Sequence, residues 1–284
     1  MRVAVASGKG GTGKTTIATG LVLSARAAGR STAYVDCDVE EPNGHIYLRP
    51  EIEAVTPSTT TVPVIDENSC TLCRACAETC RFNALAVAGR RVMTFPELCH
   101  ACGACSLVCA AGAISEEPRE TGLVRMGASD SVRFVDGRLT VGEAMPVPLL
   151  RDVIARAPDT SLTVFDAPPG TSCTVVETLS AVDRVLLVVE PTPFGLHDLS
   201  LAAELVADLG RPARVVINKD DGSGRGEAAA EEHGLEVVGS FLEERIIAEM
   251  CSRGEHPVRS DREYAAEMNR VQRALDEARV IGGR

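Results

Sequence analysis

Residues Gly8-Lys9-Gly10-Gly11-Thr12-Gly13-Lys14-Thr15 satisfy the pattern G-x-x-x-x-G-K-[ST], and no other segment constrains the fold of this chain as strongly. The pattern carries meaning only between a strand and a helix. Residues 2–7 read as a short buried strand, and the helical pattern over residues 14–28 places Ile17, Leu21 and Ala25 on one face. In that setting the glycines let the backbone turn its N–H groups onto the α- and β-phosphates of a nucleotide, and the helix N-terminus adds partial positive charge. Lys14 is then the group that reaches the β- and γ-phosphates, and Thr15 is the Mg²⁺ ligand. Gly8, Lys9, Gly10, Gly11, Thr12, Gly13 and Thr16 complete the expected cradle for ATP or ADP.

Apolar, β-branched runs at residues 32–36, 162–165, 184–189 and 214–217 alternate with helical patterns at 147–157, 172–180 and 197–209. Such alternation predicts an α/β fold, a mostly parallel sheet flanked by helices. Between about residues 62 and 115 the rhythm stops, so the expected organisation is a nucleotide-binding domain in two parts, 1–61 and 116–284, around an insert at 62–115. Residues 116–142 carry only a short strand signal at 131–135. A final helix over 261–280 places Tyr264, Met268, Val271 and Leu275 on one stripe and is expected to pack on the domain rather than lie on a membrane.

The insert is defined by its cysteines. Cys70, Cys73, Cys76 and Cys80 form C-x-x-C-x-x-C-x-x-x-C, and Cys99, Cys102, Cys105 and Cys109 repeat it at an offset of 29 residues. This is the spacing of the bacterial ferredoxin module, in which the fourth cysteine ligates the other cluster. The expected ligand sets for two 4Fe-4S clusters are Cys70, Cys73, Cys76 with Cys109, and Cys99, Cys102, Cys105 with Cys80. A zinc reading would leave thiols over from each run. Arg81 and Ala110 stand where bacterial ferredoxins usually have proline, and His100 is read as a bystander. Of the remaining cysteines, Cys173 lies seven residues after Asp166 and Cys37 and Cys251 are isolated, so no role is assigned to them.

The segment Lys9 to Thr15 resembles the deviant Walker A of the MinD, ParA, Mrp and nitrogenase iron protein group. In that group the residue matching Lys9 reaches the nucleotide of the facing subunit. The resemblance therefore implies a nucleotide-sandwich dimer, of two copies or with a paralogue. It also implies that Asp38 positions or deprotonates the attacking water, with Asp36 supporting the Mg²⁺ shell. Asp166, in Asp166-Ala167-Pro168-Pro169-Gly170, would hold that shell through water, and the Gly170 N–H would sense the γ-phosphate. Residues 190–195 resemble a segment found after the next strand in Mrp-like members. Asn218 matches the residue they place at the adenine edge, while a plain turn-forming role for it stays open. Lys9, Lys14, Asp38 and Asp166 are thus the expected catalytic set.

Taken whole, the chain resembles MinD-superfamily ATPases with an inserted ferredoxin domain. The function this implies couples ATP hydrolysis to electron transfer toward a redox partner protein. A MinD-like spatial or assembly regulator with structural or redox-sensing clusters is the alternative. A cluster carrier is disfavoured, because the C-terminal C-x-x-C of Mrp-like carriers is missing. The 29 Lys and Arg against 40 Asp and Glu give a net charge of −11, which argues against nucleic acid as a partner. No apolar signal core or run of about 20 apolar residues is found, so a cytoplasmic location without direct membrane binding is expected.

Overall fold

The computed structural model describes residues 1–277. In chain order the strands are β1 (Arg2–Ala6), β2 (Thr32–Asp36), β3 (Glu51–Ile65), β4 (Leu85–Ala88), β5 (Arg91–Thr94), β6 (Ile114–Ser129), β7 (Val132–Leu139), β8 (Leu162–Asp166), β9 (Arg184–Val189), β10 (Ala213–Asp220) and β11 (Glu236–Leu242). The helices are α1 (Lys14–Ala27), α2 (Gly44–Leu48), α3 (Ala75–Thr79), α4 (Ala104–Leu107), α5 (Val147–Ala155), α6 (Cys173–Ser180), α7 (Pro193–Asp208), α8 (Arg225–Glu232), α9 (Arg245–Ser252) and α10 (Arg262–Asp276). Two compact units result among the described residues: 1–56, 124–138 and 150–277, and 57–123 with 139–149.

The first unit is built on the parallel succession β11-β10-β9-β1-β8-β2-β7. Its central strands are buried on both faces, which is why they read as unbroken apolar runs such as Arg184–Val189. Helix α1 covers one face with Ile17, Leu21 and Val22, all fully buried, and α10 adds Tyr264, Met268, Val271 and Leu275 to the same core. The helices approach closely at Gly20, where a Cβ would lie 2.7 Å from the Met268 methyl carbon. Burying one such aliphatic or aromatic side chain contributes about 1.5–3 kcal/mol, so this interface fixes the helix that opens at the phosphate-binding motif.

Several elements extend beyond the sequence expectation. Residues 116–142 form most of β6 and β7, joined by a tight turn in which Asp130 and Ser131 are both left-handed (φ 46° and 71°). That geometry matches the right-handed strand twist of a two-residue hairpin. Helix α7 starts at Pro193 rather than 197, because Thr192 caps it by accepting from the Gly195 N–H at 3.1 Å and Pro193 needs no donor at N1. The expected 261–280 helix begins as α10 behind the Asp261 cap, which accepts from Tyr264 N at 2.8 Å, and its expected end at 278–280 lies outside the described residues. Strand β11 and helices α8 and α9 had no counterpart in the sequence reading.

In the second unit the cysteine repeat is a repeat of backbone conformation. Left-handed residues recur at Leu72 and Ala101, Arg74 and Gly103, and Asn83 and Gly112, each pair 29 residues apart. The Asp66 N–H donates to the Ala113 carbonyl and the Phe95 N–H to the Ala84 carbonyl, both at 2.8 Å, so the two halves exchange equivalent bonds. Glu143, from the 139–149 segment, is buried against Arg119 at 2.6 Å. The apolar cluster is small: Val62, Ala84 and Cys99 with Cys80 packed against it.

Candidate functional site

The phosphate-binding motif folds as the turn between β1 and α1. Gly13 is left-handed (φ 88°), and a Cβ there would lie 2.2 Å from the Asn218 amide nitrogen. A Cβ at Gly8 would lie 2.2 Å from the Asp198 carbonyl oxygen. Both positions therefore require glycine. Lys14 is buried, its ammonium donating to the Ser7 hydroxyl at 2.9 Å and the Lys9 carbonyl at 3.2 Å. Burial lowers its pKa, while the charges of Asp166 and then Asp38 oppose that shift, so both expected carboxylates face this lysine.

Asp36 and Asp166 end the neighbouring parallel strands β2 and β8 in register. Strand C-terminal ends are where open α/β sheets bind ligands. The Tyr34 hydroxyl, fully buried, donates to Asp166 Oδ2 at 2.7 Å and lies 3.3 Å from Asp36 Oδ2. Burial raises the Asp166 pKa to about 6 against the opposing Thr15 hydroxyl, Tyr34 and Lys14. Its Oδ1 is buried without a hydrogen bond of normal geometry. A buried acceptor beside the Thr15 hydroxyl suits a hydrated Mg²⁺, with Thr15 as ligand and Asp166 holding the shell. Asp36 instead accepts from the N–H groups of Asn43 (3.1 Å), Gly44 (3.0 Å) and Asp38 (3.3 Å), which makes it the anchor of the loop that carries Asp38. Burial, then the Asp166 charge, pushes its pKa well up. Asp38 is half-buried and accepts from the Glu41 N–H at 3.2 Å. Gly170 (φ 89°) donates its N–H to the Ser7 carbonyl at 3.1 Å, tying the 166–170 loop to the phosphate-binding turn.

Lys9 is paired within its own chain: its ammonium lies 3.3 Å from Glu190 Oε2 and 3.4 Å from the Thr192 hydroxyl. Lys219 approaches the same carboxylate at 3.8 Å and donates to the Gly11 carbonyl at 2.9 Å. Asn218 donates to the Thr12 carbonyl at 2.7 Å, so any contact with a base falls to its Oδ1. The Thr16 hydroxyl lies 3.4 Å from the Tyr47 hydroxyl, and the Thr16 carbonyl accepts from His256 Nε2 at 2.8 Å. Tyr34 and Lys219 were not singled out from sequence. Their neighbours Asp36 and Asn218 were, and only the tertiary structure gives the adjoining side chains a role.

In the second unit the cysteines line two cavities. One is walled by Cys70, Cys73, Cys76 and Cys109; the other by Cys80, Cys99, Cys102 and Cys105. The Ala84 and Ala113 N–H groups donate to the Cys80 and Cys109 sulfurs, each at 3.3 Å. Among the described residues no three His, Cys, Asp or Glu side chains converge as one metal ion requires. A single Zn²⁺ would draw four sulfurs to about 2.3 Å from one centre, whereas a cubane bonds each cysteine to a different iron corner. Four thiols lining one cavity are the donor set that a four-iron cluster would use, one cysteine to each iron. His100 lines the second cavity, with its ring stacked on Phe82 at a centroid distance of 3.6 Å. Cys37 is buried, Cys173 exposed at the start of α6, and Cys251 partly buried.

A profile of the CobQ/CobB/MinD/ParA nucleotide binding domain matches residues 3–258. Uncharacterized protein MJ0579 of Methanocaldococcus jannaschii is 28% identical over 228 residues, covering 77% of this chain and 80% of that protein. Uncharacterized protein MJ0578 of the same organism is 30% identical over 200 residues, 70% of each. Among solved structures, the septum site-determining protein MinD of Pyrococcus horikoshii, complexed with Mg-ADP, aligns with TM-score 0.61 and 17% identity over 97% of this chain and 96% of that one. The MinC:MinD cell division complex of Aquifex aeolicus aligns with TM-score 0.56 and 16% identity over 99% and 98%. At these identities the likeness is one of fold. No helix among the described residues is long and apolar enough to cross a membrane.

Proposed function

The chain belongs to the CobQ/CobB/MinD/ParA nucleotide-binding domain family, and from that premise we propose that it binds and hydrolyses Mg-ATP and couples nucleotide state to electron transfer through two 4Fe-4S clusters. The observation that carries the redox half is the pairing of two four-cysteine cavities, each completed by a cysteine from the other half of the repeat. Clusters bound there would supply one-electron carriers. The 62–115 insert would owe much of its stability to their ligation, since its apolar cluster is small.

On the nucleotide side, Lys14, which now donates to Ser7, would meet the β- and γ-phosphates, and Thr15 and Asp166 would hold the Mg²⁺ that neutralises phosphate charge. Asp38 orients the attacking water. Gly170 exchanges its bond to Ser7 for one to the γ-phosphate, which moves the 166–170 loop when that phosphate leaves. Asn218 Oδ1 is the acceptor for the adenine amino group. Lys9 serves the facing nucleotide in a dimer, formed with a second copy or a paralogue. The partner is a redox protein in the cytoplasm; nucleic acid is disfavoured by the charge of −11.

Anaerobic purification followed by iron and acid-labile sulfide analysis tests this directly. About eight of each per chain are expected, from two four-iron clusters. Stoichiometric zinc without sulfide would end the redox half of the proposal and leave a nucleotide switch. The MinD fold likeness favours that second reading, an assembly regulator, if clusters are present but never change oxidation state.

A further inference from the structure

The repeat that makes the two cavities alike in backbone leaves them unlike in charge. Counting 29 residues along the chain, Arg74 corresponds to Gly103 and Val87 to Glu116. Arg74 lines the cavity of Cys70, Cys73, Cys76 and Cys109, while Glu116 lines the cavity of Cys80, Cys99, Cys102 and Cys105. The Glu116 carboxylate is held by the Ser106 hydroxyl, which donates to Oε1 at 3.0 Å. It stands where glycine leaves room, for a Cβ at Gly103 would lie 3.3 Å from that oxygen. The Thr61 carbonyl, 3.9 Å from Cys99 Sγ, faces the same cavity and adds the negative end of a dipole once that sulfur is a thiolate. Within Cys70–Cys80 and Cys99–Cys109 the one other formal charge is Glu78, and it lines neither cavity.

Reducing a cluster adds one negative charge. A carboxylate in the wall opposes that charge and a guanidinium favours it, and the nearest charges dominate because the interaction falls with distance. We propose that Glu116 and Arg74 set an order of reduction, the Cys70/Cys73/Cys76/Cys109 site being the easier to reduce. An electron from a low-potential one-electron donor would then come to rest on the Arg74 side, whichever cluster it entered first. One cluster is oxidised and the other reduced, with no bond or proton exchanged. This rests on the reading that both cavities hold 4Fe-4S clusters.

The test is an anaerobic, mediator-buffered redox titration of the full chain, followed by electron paramagnetic resonance and visible absorbance. Two separate midpoints are expected. Glu116→Gln, which keeps the shape and the acceptor for Ser106, raises the lower midpoint and leaves the upper one in place. Arg74→Gln lowers the upper midpoint and leaves the lower. The gap narrows in both. Because both side chains are exposed, the wild-type gap also narrows as salt rises from low ionic strength to about 1 M, where the screening length falls to about 3 Å. That arm needs no variant and so survives any loss of cluster on substitution. Coincident wild-type midpoints, midpoints indifferent to both substitutions and to salt, or shifts of opposite sign overturn the assignment. Protein without iron and sulfide would instead refute the parent reading, so the two failures are distinguishable.

Discussion

Replacing Glu190 by glutamine asks whether Lys9 is held in reserve by its own chain. Lys9 sits 3.3 Å from Glu190, with the two side chains 30% and 20% exposed, and Lys219 approaches from the other side at 3.8 Å. For Lys9 to reach a facing nucleotide it must leave this carboxylate, so the ion pair is a cost of dimer formation. A partly exposed pair of this kind is worth about 0.5–1 kcal/mol. Since about 1.4 kcal/mol is tenfold in an equilibrium, the nucleotide concentration for half-maximal dimer should fall about 2- to 5-fold in Glu190→Gln. Glutamine preserves size and polarity, and its loss of charge also leaves Lys9 and Lys219 repelling each other. The assay is sedimentation of the protein at fixed concentration against a non-hydrolysable ATP analogue. The same substitution in a Lys9→Ala background should do nothing, because the released group is gone. An effect that persists without Lys9, or a dimer that needs more nucleotide rather than less, would refute the reasoning.

Lys14→Ala should abolish nucleotide binding by calorimetry, whereas Asp38→Ala should bind ATP and fail to turn it over; normal turnover in Asp38→Ala would move the water-orienting role elsewhere. His256 is buried, and desolvation lowers its pKa to about 4 from 6.5. Below pH 6.5 the unfolded chain therefore binds more protons than the folded one, and about 3 kcal/mol of stability should be lost between pH 6.5 and pH 4. Denaturant unfolding at both pH values should find that difference reduced in His256→Gln. Finally, cluster midpoints should differ between the apo, ADP and ATP-analogue states, and ATP affinity should change on reduction by the same free energy, about 1–3 kcal/mol or 5- to 150-fold; potentials and affinities that stay put would exclude thermodynamic coupling.

What was legible in the sequence is what local chemistry fixes. The glycine-rich turn needs residues without a Cβ at Gly8 and Gly13, and the structure places other groups within 2.2 Å of both positions. Strands β2 and β9 lie where the apolar runs put them, since burial on both faces leaves no polar alternation to confuse the reading. Strands β3 and β6 were hidden for the opposite reason. Thr, Ser, Glu, Arg and Pro together fill more than half of their 15 and 16 residues, and much of their surface is exposed, so neither a buried run nor a clean alternation marks them. The pairing of Lys9 with Glu190 was invisible for another reason: a side-chain contact across 181 residues has no local signature.

Strand β6 also links the carboxylate row of the nucleotide site to the cysteine repeat along the chain. Asp166, Asp36 and Asp136 stand in register on the neighbouring strands β8, β2 and β7. Tyr34 bridges the first two, and Arg125, on β6, grips Asp136 with its guanidinium fork, Nε at 2.8 Å from Oδ1 and Nη2 on Oδ2. From Arg125, β6 runs back without a break to Ile114, five residues after Cys109. The strand that pairs Arg125 with the carboxylate row thus continues in sequence into the segment that closes the second cysteine repeat, and a measured reciprocity between ATP affinity and cluster potential is what would show that the one responds to the other.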